Sequence, residues 1–224
     1  MIRIYLICEG QTEETFVREV LSPILARNNI FITAQMIPTS KTQKGGALSY
    51  PRVKRYIERL LKQETNTYVT TFFDLYALDS RFPKIKESKM VDNLYEKVEL
   101  LETAFWEDIV YNNNFKNRFL PYIQPYEFEG LLFSDVAKLI EVDSDWDSHL
   151  VEKLQKIKNE FETPEHINNS KETSPSHRLQ SLLKYQKKLH GPLAIENIGI
   201  DRVLSECKHF KQWYNKLLNL KKFV

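Results

Sequence analysis

Two periodicities alternate along the first 140 residues. Ile2-Arg3-Ile4-Tyr5-Leu6-Ile7-Cys8 is a short apolar run rich in β-branched and aromatic residues, stopped by Glu9-Gly10, and it predicts a buried strand. From Thr12, read as the N-cap, Phe16, Val17, Val20, Leu21, Ile24 and Leu25 recur at helical spacing, with Pro23 kinking or restarting the helix. Ile30 to Ile37 is a second strand closed by Pro38, followed by a polar loop from Thr39 to Gly46. Tyr50 to Gln63 returns to the helical period, with Val53, Ile57, Leu60 and Leu61 on one face. Thr67 to Phe73 is a third strand and Met90 to Val110 a long helix. Arg118 to Gln124 is a fourth strand, which tolerates Pro121 only at an edge or in irregular backbone.

Strands alternating with helices predict an α/β fold with a mostly parallel sheet flanked by helices. Beyond Asp135 the pattern turns helical, over Trp146 to Phe161, Ser176 to Leu189, Ile200 to Cys207 and Phe210 to Leu220. The expected organisation is an α/β domain over residues 1–140 and a helical C-terminal lobe over 141–224 packed on it.

Composition adds compartment and partners. A chain of 224 residues needs no metal or cofactor merely to fold. Two cysteines, one inside the first strand, fit a reducing compartment, and no apolar run approaches the ~20 residues that cross a bilayer. The expectation is a cytoplasmic protein with no membrane partner. From Lys171 onward eleven Lys/Arg face four Asp/Glu, a net +7, so the part before it carries −5. An acidic front and a basic back suit a metal site beside a polyanion such as DNA or RNA, although solvated helical faces account for the lysines equally well.

Chemistry enters through where the acids fall. Glu9, Asp74 and the Glu127/Glu129 pair each stand just past a predicted strand, hence on one edge of a parallel sheet, where α/β folds bind ligands. Converging carboxylates repel unless a cation sits between them, and Mg²⁺ or Mn²⁺ is the natural one. Such a site serves phosphodiester displacement. If 127–129 is a strand both glutamates reach one side, whereas on a helix they diverge by roughly 200° and only one reaches a metal. Taken singly, each acid has a mundane reading as a cap or a surface charge. Asp143-Ser144-Asp145-Trp146-Asp147 lacks the Gly and Glu of a calcium loop, and Lys44-Gly45-Gly46 lacks the spacing of a nucleotide-binding loop.

Cys8-Glu9-Gly10-Gln11-Thr12-Glu13, Lys44-Gly45-Gly46, Phe73-Asp74-Leu75-Tyr76, Phe82-Pro83, Glu127-Phe128-Glu129-Gly130-Leu131-Leu132-Phe133, Pro175-Ser176-His177-Arg178-Leu179 and Cys207-Lys208-His209-Phe210 together resemble a bacterial Toprim-like family catalogued as a domain of unknown function, DUF4276. The resemblance runs over nearly the whole chain. It implies a Toprim-like sheet and a Mg²⁺- or Mn²⁺-dependent nuclease, with Glu9, Asp74, Glu127 and Glu129 as metal-binding and catalytic candidates. Glu13 and Tyr76 would support them from behind, and Lys41, Lys44 and Arg178 would contact phosphate or nucleic acid. The Toprim pattern has a second Asp where this chain has Tyr76, which removes one expected ligand. Relatives of this kind are often encoded beside an ATPase, so the resemblance further implies the effector of an ATPase-coupled phage-defence or mobile-element system. A partner ATPase and a homodimer are the assemblies it leaves open. A catalytically degenerate module that binds an ATPase, and a small-molecule phosphohydrolase, are the alternatives.

Overall fold

A computed structural model describes residues 1–37, 49–111, 115, 117–168 and 170–223. Strand β1 (Ile2–Cys8) is central and pairs in parallel with β2 (Ile30–Met36) on one side and β3 (Tyr68–Asp74) on the other. Beyond β3 lie two short parallel strands, β4 (Phe119–Leu120) and β5 (Ile123–Gln124), giving the order β2-β1-β3-β4 with β5 also on β3. The expected continuous fourth strand is thus broken at Pro121-Tyr122. Proline has no N–H for the ladder, and the Thr71 hydroxyl substitutes for it, accepting from Tyr122 N and donating to Tyr122 O, both at 2.9 Å.

Side-chain alternation sorts the sheet into two cores. Ile4, Leu6 and Cys8 of β1, with Tyr68 and Phe72 of β3, face one; Ile7, Val69 and Phe73 face the other. The second core is covered by α3 (Tyr50–Gln63), whose buried face is the expected one, and by α4 (Leu94–Val110), which starts four residues later than expected because Asn93 caps it. The first is covered by the opening helix. That helix starts at Gln11 as α1 (Gln11–Phe16), widens into a π-helical segment (Val17–Leu21) and resumes as α2 (Ser22–Ala26). Its N-cap is Gly10, and Thr12 lies buried one residue inside it. The π segment directly precedes Pro23, where a regular ladder would lack a donor.

Six more helices follow: α5 (Val136–Ile140), α6 (Leu150–Asn159), α7 (Pro175–Leu183), α8 (Lys187–Ile198), α9 (Ile200–Glu206) and α10 (Lys208–Leu218). The helix expected over Ser176 to Leu189 is in fact two. Lys184, left-handed at φ 51°, ends α7, and α8 then runs through Gly191-Pro192, a pair that ordinarily stops a helix. Residues of α7 to α10 share one continuous core with β1, α1 and β3, including a cluster of Phe16, Phe72, Phe128, Phe210 and Trp213. Trp213 Nε1 donates to Thr70 Oγ1 at 2.9 Å, tying α10 to the sheet. Among the described residues no helix is long and apolar enough to cross a membrane.

Candidate functional site

Because β1 and β3 are parallel and Cys8 lies opposite Phe72, Glu9 and Asp74 leave the same edge of the sheet on adjacent strands. Asp74 is also opposite Gln124 of β5, which brings in the chain that follows. Pro125-Tyr126-Glu127 turns there through a left-handed residue, Tyr126 at φ 55°, held by a 3.3 Å bond from Tyr76 N to Tyr126 O. A non-glycine residue in that region stores of order 1 kcal/mol and persists only where its surroundings demand it. Tyr76 itself is half exposed and packs on the Tyr126 ring at 5.4 Å, its phenol pushed up to about 12 by burial, Tyr126 and Glu127.

The segment from Phe128 to Ser134 is a 3₁₀-helix, so the two glutamates diverge, as the helical alternative required. Glu127 accepts from Ser176 N at 3.0 Å and thereby caps α7. Glu129 is 1 % exposed and turns inward, where it accepts from Lys187 Nζ at 3.1 Å and Tyr185 Oη at 3.5 Å. Phe128, between them, donates its N–H to Asp74 Oδ1 at 2.9 Å. Glu13, at the third helical position, reaches back to the Gly10 N–H, half of a capping box, and a side chain at Gly10 would meet its carboxylate at 2.9 Å.

The acids sense one another. Burial and Glu13 push the Glu9 carboxyl up to about 8. Burial, then Glu13, Glu129 and Glu9, hold Asp74 well above the ordinary carboxylate range, with Lys187 pulling the other way. Glu13 and Glu129 are raised as well, each chiefly by burial. Burial disfavours the charged form of Lys187, yet Glu129, Glu127 and Asp74 outweigh it and raise its pKa. The site therefore sets five carboxyl groups around one ammonium, and burial favours the protonated form of four of them, Glu9, Glu13, Asp74 and Glu129.

Lys187 and Tyr185 were not legible as site residues. Both precede or open α8, the helix hidden by Gly191-Pro192. A weak signal exists in hindsight: a lysine at the first position of a helix opposes the helix dipole and calls for a local anion. Gly191 lets α8 approach α1, since a methyl there would meet Tyr185 Oη at 2.9 Å, Thr12 Cγ2 at 3.0 Å and Phe128 Cε1 at 3.4 Å. We expect Gly191→Ala to cost about 1–3 kcal/mol in chemical denaturation through this overpacking; an unchanged midpoint would show that the contact is slack. Arg178 is not among the groups in contact with the acids. Its Nε donates to Thr173 O at 2.6 Å and its guanidinium lies over the Phe161 ring. Lys41 and Lys44 lie outside the described residues.

Oxygen donors with excess negative charge fit a hard divalent cation in kind. In arrangement, no three Asp, Glu, His or Cys side chains among the described residues form a ready metal-holding group. Asp74 and Glu127 each accept one backbone N–H, from Phe128 and Ser176, whereas Glu129 is engaged by both Lys187 and Tyr185. Asp143 and Asp147 accept from Asp145 N and His149 N, bonds that hold a local turn before α6.

A structure similar to this one is the C-terminal region of the Burkholderia pseudomallei OLD protein, 15 % identical, with 96 % of this chain and 98 % of that chain covered at a TM-score of 0.48. No curated protein matches the sequence. The sequence model of the family described as a domain of unknown function (DUF4276) matches residues 8–218. The chain belongs to the DUF4276 family.

Proposed function

We propose that this protein is a Toprim-like, Mg²⁺- or Mn²⁺-dependent phosphodiesterase that cuts nucleic acid. The observation that carries the reading is the gathering of Glu9, Glu13, Asp74 and Glu129, each raised chiefly by burial, at the carboxyl edge of a parallel sheet. Perturbed acids gathered at the ligand-binding edge of a fold mark chemistry more often than scaffolding. Glu9 and Asp74 hold the ion; when bound, it supplies electrostatic stabilisation to the phosphodiester oxygens. Glu129, buried and raised, is suited to keep a proton and release it. Lys187, 41 % exposed at its side chain, offsets the negative charge of an incoming phosphate. Glu127 keeps the turn in place by capping α7. Action as the effector of an ATPase-coupled defence or mobile-element system belongs to the same proposal, and its support is the motif resemblance.

The test is incubation of the purified protein, alone and with any ATPase encoded beside it, with plasmid and with structured RNA in Mg²⁺, Mn²⁺ or EDTA. Divalent-dependent nicking or cleavage is expected. One observation favours a second reading: Lys187 already pairs with Glu129, and Tyr76 occupies the place of a second Asp, as in a degenerate module that only binds a partner. That reading requires no thermal shift with Mn²⁺ and no cleavage with or without the ATPase.

A further inference from the structure

Helix α3 sorts its surface into three sectors. Tyr50, Val53, Ile57 and Leu61 are buried in the core. Lys54 pairs with Asp108 at 2.8 Å and reaches Glu58 at 4.0 Å, so that sector is internally neutralised. Arg52, Arg55 and Arg59 form the third. At 100° per residue, Arg52 and Arg59 point within ~20° of each other, with Arg55 ~60° away, over about 10 Å of helix. With Ile37, just past the end of β2, and Tyr56 they line one groove of about 290 Å³. Among the described residues none of the three is within ion-pair distance of an acid.

The groove is also ordered. Tyr56 Oη donates to Gln35 Oε1 of β2 at 3.2 Å, fixing the ring over which the Arg59 guanidinium lies at 5.3 Å. Arg55 Nε donates to Pro51 O at 3.2 Å, which orients the fork and leaves its terminal nitrogens available. Guanidinium groups held this way match phosphate oxygens, and Tyr56 offers a ring face beside them. The first turn of the same helix abuts Glu9: Tyr50 and Val53 line a small cavity together with Glu9 and Phe73. The arginine sector and the residues that wall in Glu9 therefore belong to one rigid helix, on different sides of it.

We propose that the Arg52–Arg55–Arg59 face of α3 binds the phosphodiester backbone of the nucleic acid and leads it to Glu9 and Asp74. This rests on the nuclease reading for its substrate, but it is tested by binding alone. Fluorescence anisotropy with labelled single-stranded and duplex oligonucleotides, in EDTA so that no cleavage occurs, should show Arg52→Gln/Arg55→Gln/Arg59→Gln binding at least tenfold more weakly than wild type. The slope of log Kd against log salt should fall by about 2, at roughly 0.7–0.9 per lost phosphate contact. Arg55→Glu alone, at an exposed position, should give a comparable loss if the triple variant folds poorly. Lys138→Gln, which breaks only a surface pair with Glu141, should bind as wild type. Equal affinity of the arginine variants and wild type, or no oligonucleotide binding by wild type, overturns the assignment. Metal-dependent hydrolysis of bis(p-nitrophenyl) phosphate judges the catalytic site separately.

Discussion

Glu9→Gln is expected to reduce Mg²⁺- or Mn²⁺-dependent cleavage on the order of 10²–10³-fold, the scale on which single electrostatic contributors to a transition state act. The same change should make the ion-free protein more stable, because it removes one of several mutually repelling acids. The pH dependence follows from the sign of the shift. Glu9 holds its proton in the folded protein up to about 8, well above the 4.5 of a free glutamate. Folded protein therefore binds more protons than unfolded chain between those values, and stability in EDTA declines as pH rises through that window. Thermal melts at pH 5.5, 7 and 8.5 should show this decline in wild type and a shallower one in Glu9→Gln. Mn²⁺ affinity should rise over the same range, since binding releases the protons the acids share. Full cleavage by Glu9→Gln sinks the catalytic assignment, and a variant that melts lower than wild type at pH 8.5 sinks the repulsion argument.

Glu165→Ala should be the most destabilising carboxylate removal. Glu165 is 1 % exposed, and its oxygens accept from His209 N, Phe210 N and Tyr95 Oη, each at 2.9 Å. It is the cap of α10 supplied from a distant turn, and it bridges α10 to α4. Truncation leaves two buried N–H groups without their acceptor and the Tyr95 phenol with Thr163 Oγ1 alone, a loss of about 3–5 kcal/mol. At roughly 2–4 °C per kcal/mol for a chain of this size, the midpoint should fall by about 10 °C. Glu165→Gln, which keeps one carbonyl acceptor, should fall about half as far. A drop below 2 °C for the alanine variant would mean that α10 is held by its apolar face alone.

The sheet and the strand-end acids were legible because each signal was local. Ile2 to Cys8 is a run of β-formers ended by Gly10, and the structure ends the strand at Cys8. Tyr50 to Gln63 carries an uninterrupted apolar stripe, and α3 has those bounds. Three features were illegible because non-local packing overrides the local rule. Gly191-Pro192 reads as a break, yet α8 continues, since Gly191 fits against Thr12 and Phe128, residues remote in sequence. The Glu127–Glu129 stretch carries no clear period, and its 3₁₀ course depends on Asp74 accepting the Phe128 N–H. Thr12 has the chemistry of a cap, but Glu13 bonding back to Gly10 moves the helix start upstream.

The position of Lys187 has a consequence for biogenesis. The acids it faces stand at residues 13, 74, 127 and 129, whereas the lysine arrives on α8, after all of them. During translation the strands and their carboxylates leave the ribosome first, without the ammonium that offsets them and without the aromatic residues of α10 that seal the first core. The nascent α/β half is thus an electrostatically frustrated body, and its closure waits for the helices that follow. Until α8 has been made, the carboxylates at the sheet edge lack the one ammonium set among them.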